Sequence, residues 1–511
     1  MHLQLHLCYS TLQSRHQHHR RLRLRLQSRH IVAKMDRAAI TTMPRKLVVL
    51  YPSPGMGHLV SMIELGKIIA ARGLAVTIVV IDLPHNTGAS ATGPFLAGVS
   101  AANPTISFHR LPQVDLPPVK SSHLETLTFE VARVSNPHLR DFLAATSPAV
   151  LVADFFCNVA RGFASELGIP IYFFFTSGAE VLALYLHLPV LHAQITANFQ
   201  DMGDELVHVP GIPSFPATDS MRPIMDRDDI AYTKFVSVCS DLCLSQGILV
   251  NTFRSLEPRA VETILAGLCS PSGLPTPPVY CIGPLIKMQE VGTKCGDECI
   301  AWLDAQPKDS VVFLCFGSLG RFSAKQIKEV AAGLEASRQR FLWVIKSPPS
   351  DDPTKKFDGP SEPDLDALLP EGFLDRTKET GLVVKSWAPQ RDVLMHTAVA
   401  LFVTHCGWNS VLESVMAGVP MLAWPLYAEQ RVNKVFLEKE LGLALAIEGY
   451  DKEVVEAEEM AAKVKWMMDS DGGRVIRERT QAAMRQANEA MREGGESEAT
   501  LASLVDAWVL A

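Results

Sequence analysis

The sequence predicts an α/β protein built from two doubly wound parallel-sheet domains that face a cleft. Short and nearly continuous apolar runs alternate with helical periods, which is typical of strands buried on both faces of a parallel sheet. This alternation occurs twice, on either side of a stretch rich in Pro and Gly. The length of 511 residues leaves room for two to four domains.

The first half begins with a predicted strand at residues 46–51 and an amphipathic helix at 59–71, which Gly73 closes. Three further apolar runs predict strands, at residues 75–81, 149–154 and 170–175, with a helix ending at Leu167 between the last two. We therefore expect an N-terminal domain over residues 44–275.

The second half repeats this pattern over residues 297–480, which we expect to form a C-terminal domain. Its predicted strands are residues 310–316, 340–345, 382–385, 400–404 and 419–423. We expect residues 276–296, which overlap the Pro- and Gly-rich stretch 271–284, to be a linker. Residues 347–366 predict a mobile surface loop. We expect residues 481–511 to form a helical segment that packs back toward the N-terminal domain.

Charge is distributed unevenly along the chain. The net charge is −7, yet residues 1–35 hold six Arg, one Lys and no acidic residue, so the remainder carries −14. An acidic body argues against a general nucleic-acid binder. The basic residues 1–43 are either a transit peptide or a disordered extension ahead of a start at Met35 or Met43. Polar residues and Pro189 interrupt the longest apolar run, so no membrane span is predicted.

Ten cysteines give no dense disulfide framework, which indicates thiols in a reducing compartment. We expect a cytoplasmic monomer. The pairs Cys239/Cys243 and Cys295/Cys299 are four residues apart, but no further ligand follows at zinc-site spacing, so we interpret them as structural.

The first predicted strand leads into the turn Gly55-Met56-Gly57-His58. Gly55 and Gly57, with Asp82 after the second strand, resemble the start of a dinucleotide fingerprint and leave an NAD-dependent oxidoreductase open. Val60 occupies the third-glycine position and weakens this alternative. His58 is either a surface histidine at the turn or a functional group.

Asp154 ends another predicted strand. In a parallel sheet, His58 and Asp154 would project from the same edge, and a carboxylate bonded to one imidazole nitrogen makes the other a better base. The alternative role of Asp154 is to cap the following helix.

The 44-residue span 387–430 carries the strongest signal. It contains Trp387-Ala-Pro-Gln390, then Thr404-His-Cys-Gly-Trp-Asn-Ser410, and ends in Glu429-Gln430. Gly407 permits a tight turn, and a helix that opens at Asn409 and Ser410 would offer free N–H groups and a positive dipole end to a phosphate. Ser410 and Glu413 also fit a plain capping box, and Trp387 also fits an ordinary core position.

As a whole, this span resembles the donor-binding signature of the plant secondary-product glycosyltransferases, which are UDP-sugar-dependent enzymes of the GT-B fold. Further landmarks of that family follow in the expected order, so the resemblance covers residues 44–511. These landmarks are Gly57-His58, Val152-Ala-Asp154, Thr176-Ser177, Gly283-Pro284 and Phe316-Gly-Ser318. The resemblance implies two Rossmann-like domains, an inverting hexosyltransferase activity, and no cofactor or metal besides the UDP-sugar substrate.

The resemblance also implies roles for individual residues. His58 would be the base and Asp154 its partner. The donor-binding residues would be Trp387 at uracil, Gln390 and Glu413 at ribose, Ser318, His405, Asn409 and Ser410 at the diphosphate, and Trp408, Glu429, Gln430 and Thr176 at the sugar. Ala388 would also bind the donor. Asp226-Arg-Asp228 matches a metal-binding Asp-x-Asp motif, but no apolar strand precedes it, and we interpret it as a solvated loop.

Within the family, Gln at the last signature position accompanies glucose, and Arg in place of Trp408 accompanies glucuronate. Gln430 and Trp408 therefore predict UDP-glucose, although Glu429 stands where Asp is usual. The opening segment 51–67 is similar to the flavonoid and chalcone branch, so we expect a phenolic acceptor. A hormone, a small phenol and carbon-glycosylation remain alternatives. Phe155, Phe156, Phe173 and Phe174 either line an aromatic slot or belong to the core.

Two other function classes have less support. A catalytically silent UDP-sugar-binding protein would lack a working His58–Asp154 pair, but both residues are present. A hydrolase would need a nucleophile elbow, and Gly317-Ser-Leu-Gly320 does not match that pattern.

Overall fold

Two parallel sheets confirm the predicted fold class. The computed structural model describes residues 45–83, 92–117, 121, 123–286, 294–350, 352, 359 and 361–510. The first sheet has the strand order β3-β2-β1-β4-β5-β8-β9, and every neighbouring pair is parallel. Its strands are β1 (Leu47–Tyr51), β2 (Ala75–Val80), β3 (Ile106–Arg110), β4 (Val150–Asp154), β5 (Ile171–Phe175), β8 (Ile248–Val250) and β9 (Val279–Cys281). A short antiparallel hairpin consists of β6 (Leu206–Val207) and β7 (Phe215–Pro216).

The second sheet has the parallel order β12-β11-β10-β13-β14-β15. Its strands are β10 (Val311–Cys315), β11 (Arg340–Ile345), β12 (Gly381–Lys385), β13 (Val399–Thr404), β14 (Met421–Ala423) and β15 (Ala444–Ala446). Each sheet reverses its winding direction once, between β1 and β4 in the first and between β10 and β13 in the second. Ligands of doubly wound sheets bind in the crevice at the carboxyl ends of the strands beside such a reversal.

Helices cover both faces of each sheet. The helices of the first half are α1 (Met56–Ala71), α2 (Thr92–Ala102), α3 (Leu124–Thr146), α4 (Ala160–Glu166), α5 (Ala179–Gln194), α6 (Ile230–Cys243) and α7 (Pro258–Leu265). Those that follow are α8 (Lys294–Asp304), α9 (Ala324–Ser337), α10 (Leu365–Leu368), α11 (Phe373–Thr377), α12 (Gln390–Leu394), α13 (Trp408–Ala417), α14 (Gln430–Phe436), α15 (Ala457–Asp469), α16 (Asp471–Met491) and α17 (Glu496–Leu510). Within these residues, no helix combines the length and the apolar character that a membrane span requires.

Alternate residues of each central strand enter opposite core layers. In β1, Val49 and Tyr51 belong to one buried cluster, whereas Val48 and Leu50 belong to another. Strand β10 divides its side chains between two clusters of the second half in the same way. Because both faces of the sheet are covered, the strands are apolar at nearly every position, and this is the pattern that made them recognisable in the sequence.

Several boundaries differ from the sequence-based expectations. The first helix begins at Met56 instead of residue 59, so His58 lies in its first turn. Strand β9 lies inside the stretch expected to be a linker, where its three residues pair with β8. Residues 1–43, part of the expected linker (287–293) and most of 351–360 lie outside the described residues.

The C-terminal helix α17 packs on the first sheet. Its buried side chains, at helical spacing, share a cluster with Val48 and Leu50 of β1. The apolar ones are Leu501, Leu504, Val505 and Trp508. The Trp508 ring lies 5.2 Å from the ring of Tyr172 in β5, measured between centroids.

We expect Trp508→Ala to lower the free energy of unfolding by about 3–5 kcal/mol, because it leaves a large cavity under α17. The side chain of Trp508 is only 2 % exposed. The neighbouring Val509 is 42 % exposed, so Val509→Ala is the matched control and should change stability by about 0.5 kcal/mol or less. Urea denaturation of both variants measures this. Equal effects of the two substitutions would contradict the packing of α17 on the sheet.

Candidate active site

His58 and Asp154 meet at the winding reversal of the first sheet. Strands β1 and β4 are parallel neighbours, with Tyr51 opposite Ala153, so the residues after β1 and the last residue of β4 share one edge. His58 Nδ1 donates to Asp154 Oδ2 over 2.8 Å. The Asp154 side chain is fully buried and that of His58 is 25 % exposed. The carboxylate therefore fixes the proton on Nδ1 and leaves Nε2 as an acceptor.

Asp154 fulfils both roles that the sequence left open. Its Oδ1 accepts the backbone N–H of Phe156 over 3.0 Å, which caps the short helical turn after β4. Its Oδ2 holds the imidazole at the same time. Thr176, directly after β5, places its Oγ1 3.0 Å from His58 Nδ1. The imidazole is thus held by groups from two neighbouring strand ends.

Carboxylates raise the basicity of His58. Burial alone would lower the pKa of His58, but the charge and the hydrogen bond of Asp154 raise it, with smaller contributions from Glu429 and Glu125, and the net result lies above the ordinary value. Glu125, in the first turn of α3, was not singled out in the sequence. Burial raises the pKa of Glu125 to about 7, and the Glu429 carboxylate adds to this effect.

Aromatic rings surround the histidine. The rings of Phe156 and Phe155 lie 5.5 and 6.1 Å from the imidazole. Phe129 of α3 packs 4.8 Å from Phe156, and Tyr185 of α5 packs 5.4 Å from Phe155. Phe173 and Phe174 are fully buried in β5 and belong to opposite core layers, so the core interpretation is correct for these two. Phe155 and Phe156 are also buried and share the cluster of Phe173, but they border the imidazole as well.

The second sheet presents its own polar edge at the reversal between β10 and β13. Ser318 follows β10 and is exposed, and His405 follows β13 and is buried. The imidazole of His405 lies between two glycines, since a Cβ atom on Gly317 or on Gly407 would come within 2.5 Å of its Nε2. Burial lowers the pKa of His405 to about 3, and the positive charge of Lys346 contributes. His405 is therefore a neutral imidazole at physiological pH.

Helix α13 begins at this edge with Trp408, and Gly407 is its N-cap residue. Ser410 is the third residue of the helix, so the capping box with Glu413 is not formed. Instead, Gln390 of α12 donates to Ser410 Oγ over 2.9 Å and to Glu413 Oε2 over 2.6 Å. Nearby, Trp387 is 41 % exposed, which argues against an ordinary core position, whereas Ala388 is buried.

Asn409 connects the two polar edges. Its Nδ2 donates to the carbonyl oxygen of Gly57 over 2.9 Å, and its Oδ1 accepts from Ser61 Oγ over 3.1 Å. Gly57 directly precedes His58. The start of α13 in the second half is therefore hydrogen-bonded to the start of α1, which carries the candidate base.

Two residues that the resemblance assigned to the sugar have other side-chain contacts. The Trp408 indole is 3 % exposed and donates to the carbonyl oxygen of Asn251 over 2.7 Å, so its N–H group is not offered to a ligand. Gln430 is buried, and its Oε1 accepts the backbone N–H groups of Leu426 and Tyr427. Glu429 is less buried and accepts from Ser177 Oγ over 3.2 Å.

A buried ion pair anchors the helix that follows Glu429. Lys434 of α14 lies 2.7 Å from Asp219 of the first half, and both side chains are less than a tenth exposed. Tyr450 donates to the other oxygen of Asp219. Arg431 donates to the carbonyl oxygen of Thr218 over 2.6 Å. These contacts set the position of α14 relative to the first sheet.

Other motifs noted in the sequence have local partners. Asp82, the acid of the dinucleotide alternative, pairs with Arg110 of β3. Asp226 accepts the backbone N–H of Asp228 within a turn before α6. Cys239 and Cys243 are buried on α6, with their sulfur atoms 4.0 Å apart. Over the described ranges, no group of three or more His, Cys, Asp or Glu side chains is arranged to hold a metal ion.

Comparison with known proteins shows that this chain is similar to UDP-dependent glycosyltransferases. Residues 279–469 match the family model described as UDP-glucoronosyl and UDP-glucosyl transferase. Phloretin 2'-O-glucosyltransferase of Malus domestica is 45 % identical over 477 residues, which span 90 % of this chain and 99 % of that protein. Anthocyanidin 5,3-O-glucosyltransferase of a Rosa hybrid cultivar is 42 % identical over 476 residues, 90 % of this chain and 98 % of its own.

A solved structure supports the same similarity. UGT2 of Phytolacca americana, complexed with UDP-2fluoro-glucose and pterostilbene, has a TM-score of 0.79 and 36 % identity, covering 91 % of this chain and 99 % of its own.

We expect Asp154→Asn to lower the pKa of His58. The amide keeps the shape of the side chain but removes the charge that raises this pKa, while burial, which lowers it, remains. A pH titration of the His58 signal in protein with isotope-labelled histidine measures the shift. Asp304→Asn is the matched control, because Asp304 lies 3.1 Å from a different histidine, His396. An unchanged pKa in Asp154→Asn would contradict the electrostatic role of Asp154.

Proposed function

The chain belongs to the plant UDP-glycosyltransferase family, and we propose that it is an inverting UDP-glucose-dependent O-glucosyltransferase that acts on a flavonoid-type phenol. The observation that carries this proposal is the His58–Asp154 pair, because the residue before His58, Gly57, accepts a hydrogen bond from Asn409 of the signature segment 387–430. Because the chain belongs to this family, we abandon the alternative of an NAD-dependent oxidoreductase.

Transfer begins with the acceptor hydroxyl at Nε2 of His58. A phenol has a pKa near 10, and a histidine whose basicity is raised by Asp154 can accept its proton as the oxygen attacks. The oxygen bonds to the anomeric carbon while the bond from that carbon to the diphosphate breaks on the opposite side. An α-linked donor thus gives a β-glucoside and UDP. Because His58 must be neutral to accept the proton, activity should fall as the pH drops through its raised pKa.

We assign the donor to the edge of the second sheet. We assign the partly exposed Trp387 ring to uracil and the Gln390–Ser410–Glu413 cluster to the ribose. Ser318, His405, Asn409 and the start of α13 face the diphosphate, where free N–H groups and the helix dipole favour negative charge. Trp408 contributes through its backbone at the helix start. We assign Glu429 and Thr176 to the sugar end, and Gln430 to holding the backbone of Leu426 and Tyr427 beside it.

The choice of glucose and of the acceptor follows from the relatives and from the residues around His58. Relatives named as glucosyltransferases of phloretin and anthocyanidin favour UDP-glucose and a polyphenol. The rings of Phe155, Phe156 and Phe129 suit a flat aromatic acceptor. A hormone, a small phenol or carbon-glycosylation would use the same base, and product analysis separates these cases.

Three finer features also belong to this proposal. We infer that transfer proceeds without a metal ion, because N–H groups of α13 can meet the diphosphate charge. Activity that persists in the presence of a chelator would support this. The buried thiols, such as Cys157 and Cys315, fit a reducing compartment such as the cytoplasm. We expect a monomer, which light scattering measures.

We expect His58→Ala to reduce kcat about 10²–10⁴-fold, the usual contribution of a general base. The assay incubates purified protein with UDP-glucose and a panel of phenolics, and it follows UDP release and product mass. UDP binding should be retained, which shows that the variant folds. His208→Ala is the matched control, because His208 is exposed and bonds to Ser214 elsewhere in the first half. Full activity of His58→Ala would refute the assigned base.

We expect Trp387→Ala to weaken UDP binding by a factor of about 5–150, which corresponds to about 1–3 kcal/mol for the loss of base stacking. Trp387→Phe should retain most of the affinity. Trp466 is also 41 % exposed but lies on α15, so Trp466→Ala is a control of equal exposure and should bind UDP normally. Calorimetric titration with UDP distinguishes these variants. Normal UDP affinity in Trp387→Ala would place uracil elsewhere.

A further inference from the structure

Two cations lie beside the loop that follows β10. Lys346 comes directly after β11, and its ammonium donates to the carbonyl oxygen of Gly317. Arg321 lies four residues after Gly317 in the same loop, and its positive charge adds a small contribution to the lowering of the Lys346 pKa, which burial dominates. Among the described residues, no carboxylate forms an ion pair with either side chain. An arrangement of like charges without a counterion indicates a site built for an anion.

The topology places Lys346 at the edge that receives the donor. Strands β11, β10 and β13 are consecutive neighbours in the second sheet. The residues just after them are Lys346, the Gly317–Ser318 turn and His405. Because the strands are parallel, all three groups reach the same carboxyl edge, at the winding reversal where such sheets bind ligands. Lys346 therefore belongs to the same cluster as Ser318 and His405.

The Lys346 ammonium has hydrogen-bond donors left over for a ligand. An ammonium has three donor hydrogens, and the Gly317 carbonyl takes one of them. Burial lowers the pKa of Lys346, Cys315 opposes this effect, and the positive charge of Arg321 lowers the pKa by a smaller contribution. The positive charge of Lys346 in turn helps to keep His405 neutral. The imidazole of His405 can thus donate a hydrogen bond to a phosphate oxygen, but it supplies no positive charge there.

We propose that Lys346, assisted by Arg321, supplies the positive charge that binds the diphosphate of the UDP-sugar and stabilises UDP as it leaves. His405 then acts in the same site as a neutral hydrogen-bonding group. This inference rests on the proposed function, because it requires a nucleoside diphosphate at this edge.

The role of Lys346 in the transfer step is electrostatic. When the bond between the anomeric carbon and the diphosphate oxygen breaks, its electron pair stays on that oxygen, and the negative charge of UDP increases. A fixed cation near this oxygen stabilises the transition state more than the ground state. The ammonium keeps its proton throughout, and the proton from the acceptor remains on His58.

The test compares UDP with uridine in Lys346→Met and Lys346→Arg. We expect Lys346→Met to weaken UDP binding at least tenfold and to leave uridine binding unchanged, since uridine lacks the phosphates. Its kcat/KM with UDP-glucose should fall about 10²–10³-fold, as for the loss of one donor to a developing negative charge. Lys346→Arg keeps the charge and should retain most UDP affinity. Lys325→Met, at an exposed lysine on α9, is the matched control.

Arg321→Met provides a second variant that does not depend on Lys346. It should also weaken UDP binding selectively, by a smaller factor. Equal losses of UDP and uridine affinity in Lys346→Met would mean that the substitution disturbs the fold of the edge, and wild-type UDP affinity would mean that the ammonium does not face the phosphates. Either result overturns the inference. If the wild-type protein itself neither binds UDP nor releases it from UDP-glucose, the proposed function fails instead.

Discussion

The parallel direction of all strands within each sheet is the constraint on which the rest of the structure depends. It delivers every residue that follows a strand to the same edge, so polar groups far apart in the sequence become neighbours. His58 and Asp154 meet in this way at the reversal between β1 and β4, although 96 positions separate them. Ser318, His405 and Lys346 are gathered by the same rule at the second sheet. The order in which the strands are wound therefore brings together the polar groups at both edges.

Hydrogen bonds between the two halves fix one edge relative to the other. Asn409 binds the carbonyl of Gly57, and the Trp408 indole binds that of Asn251. The buried pair of Lys434 and Asp219 adds a third contact, and breaking a buried pair by removing one partner costs about 3–5 kcal/mol. Because a base and a reacting carbon must be aligned to within a fraction of an ångström, these contacts matter for the rate as well as for stability.

The features that could be predicted from the sequence are the strands with long apolar runs and the contacts between residues at strand ends. Strands β1, β4, β10 and β13 were predicted because both of their faces are buried. The closeness of His58 to Asp154 followed from their positions after neighbouring strands. Strands β9 and β15 have three residues each, too few for a periodic signal, and pairing with a neighbour defines them.

The directions in which the side chains of the candidate site point could not be predicted from the sequence. The indole of Trp408 points into the core because the first turn of α13 packs against the first half, and a signature position does not reveal this. Glu125 was missed because an acidic residue in the first turn of a helix is common and is explained by its favourable interaction with the helix dipole. Lys346 did carry a usable signal, since it follows a strand directly at the edge where Ser318 and His405 were already expected.

The two edges also differ in charge, and this difference matches the direction of charge movement in the proposed reaction. Around His58, Asp154, Glu429 and Glu125 favour a positive charge, as the raised pKa of the imidazole reflects. Around Gly317 and Ser318, Lys346 and Arg321 favour a negative charge. In the proposed mechanism, transfer moves a proton onto the histidine and leaves an electron pair on the diphosphate, so each charge would arise where the protein already stabilises it. With fixed groups of opposite sign at the two edges, the proposed transfer step would need little reorganisation.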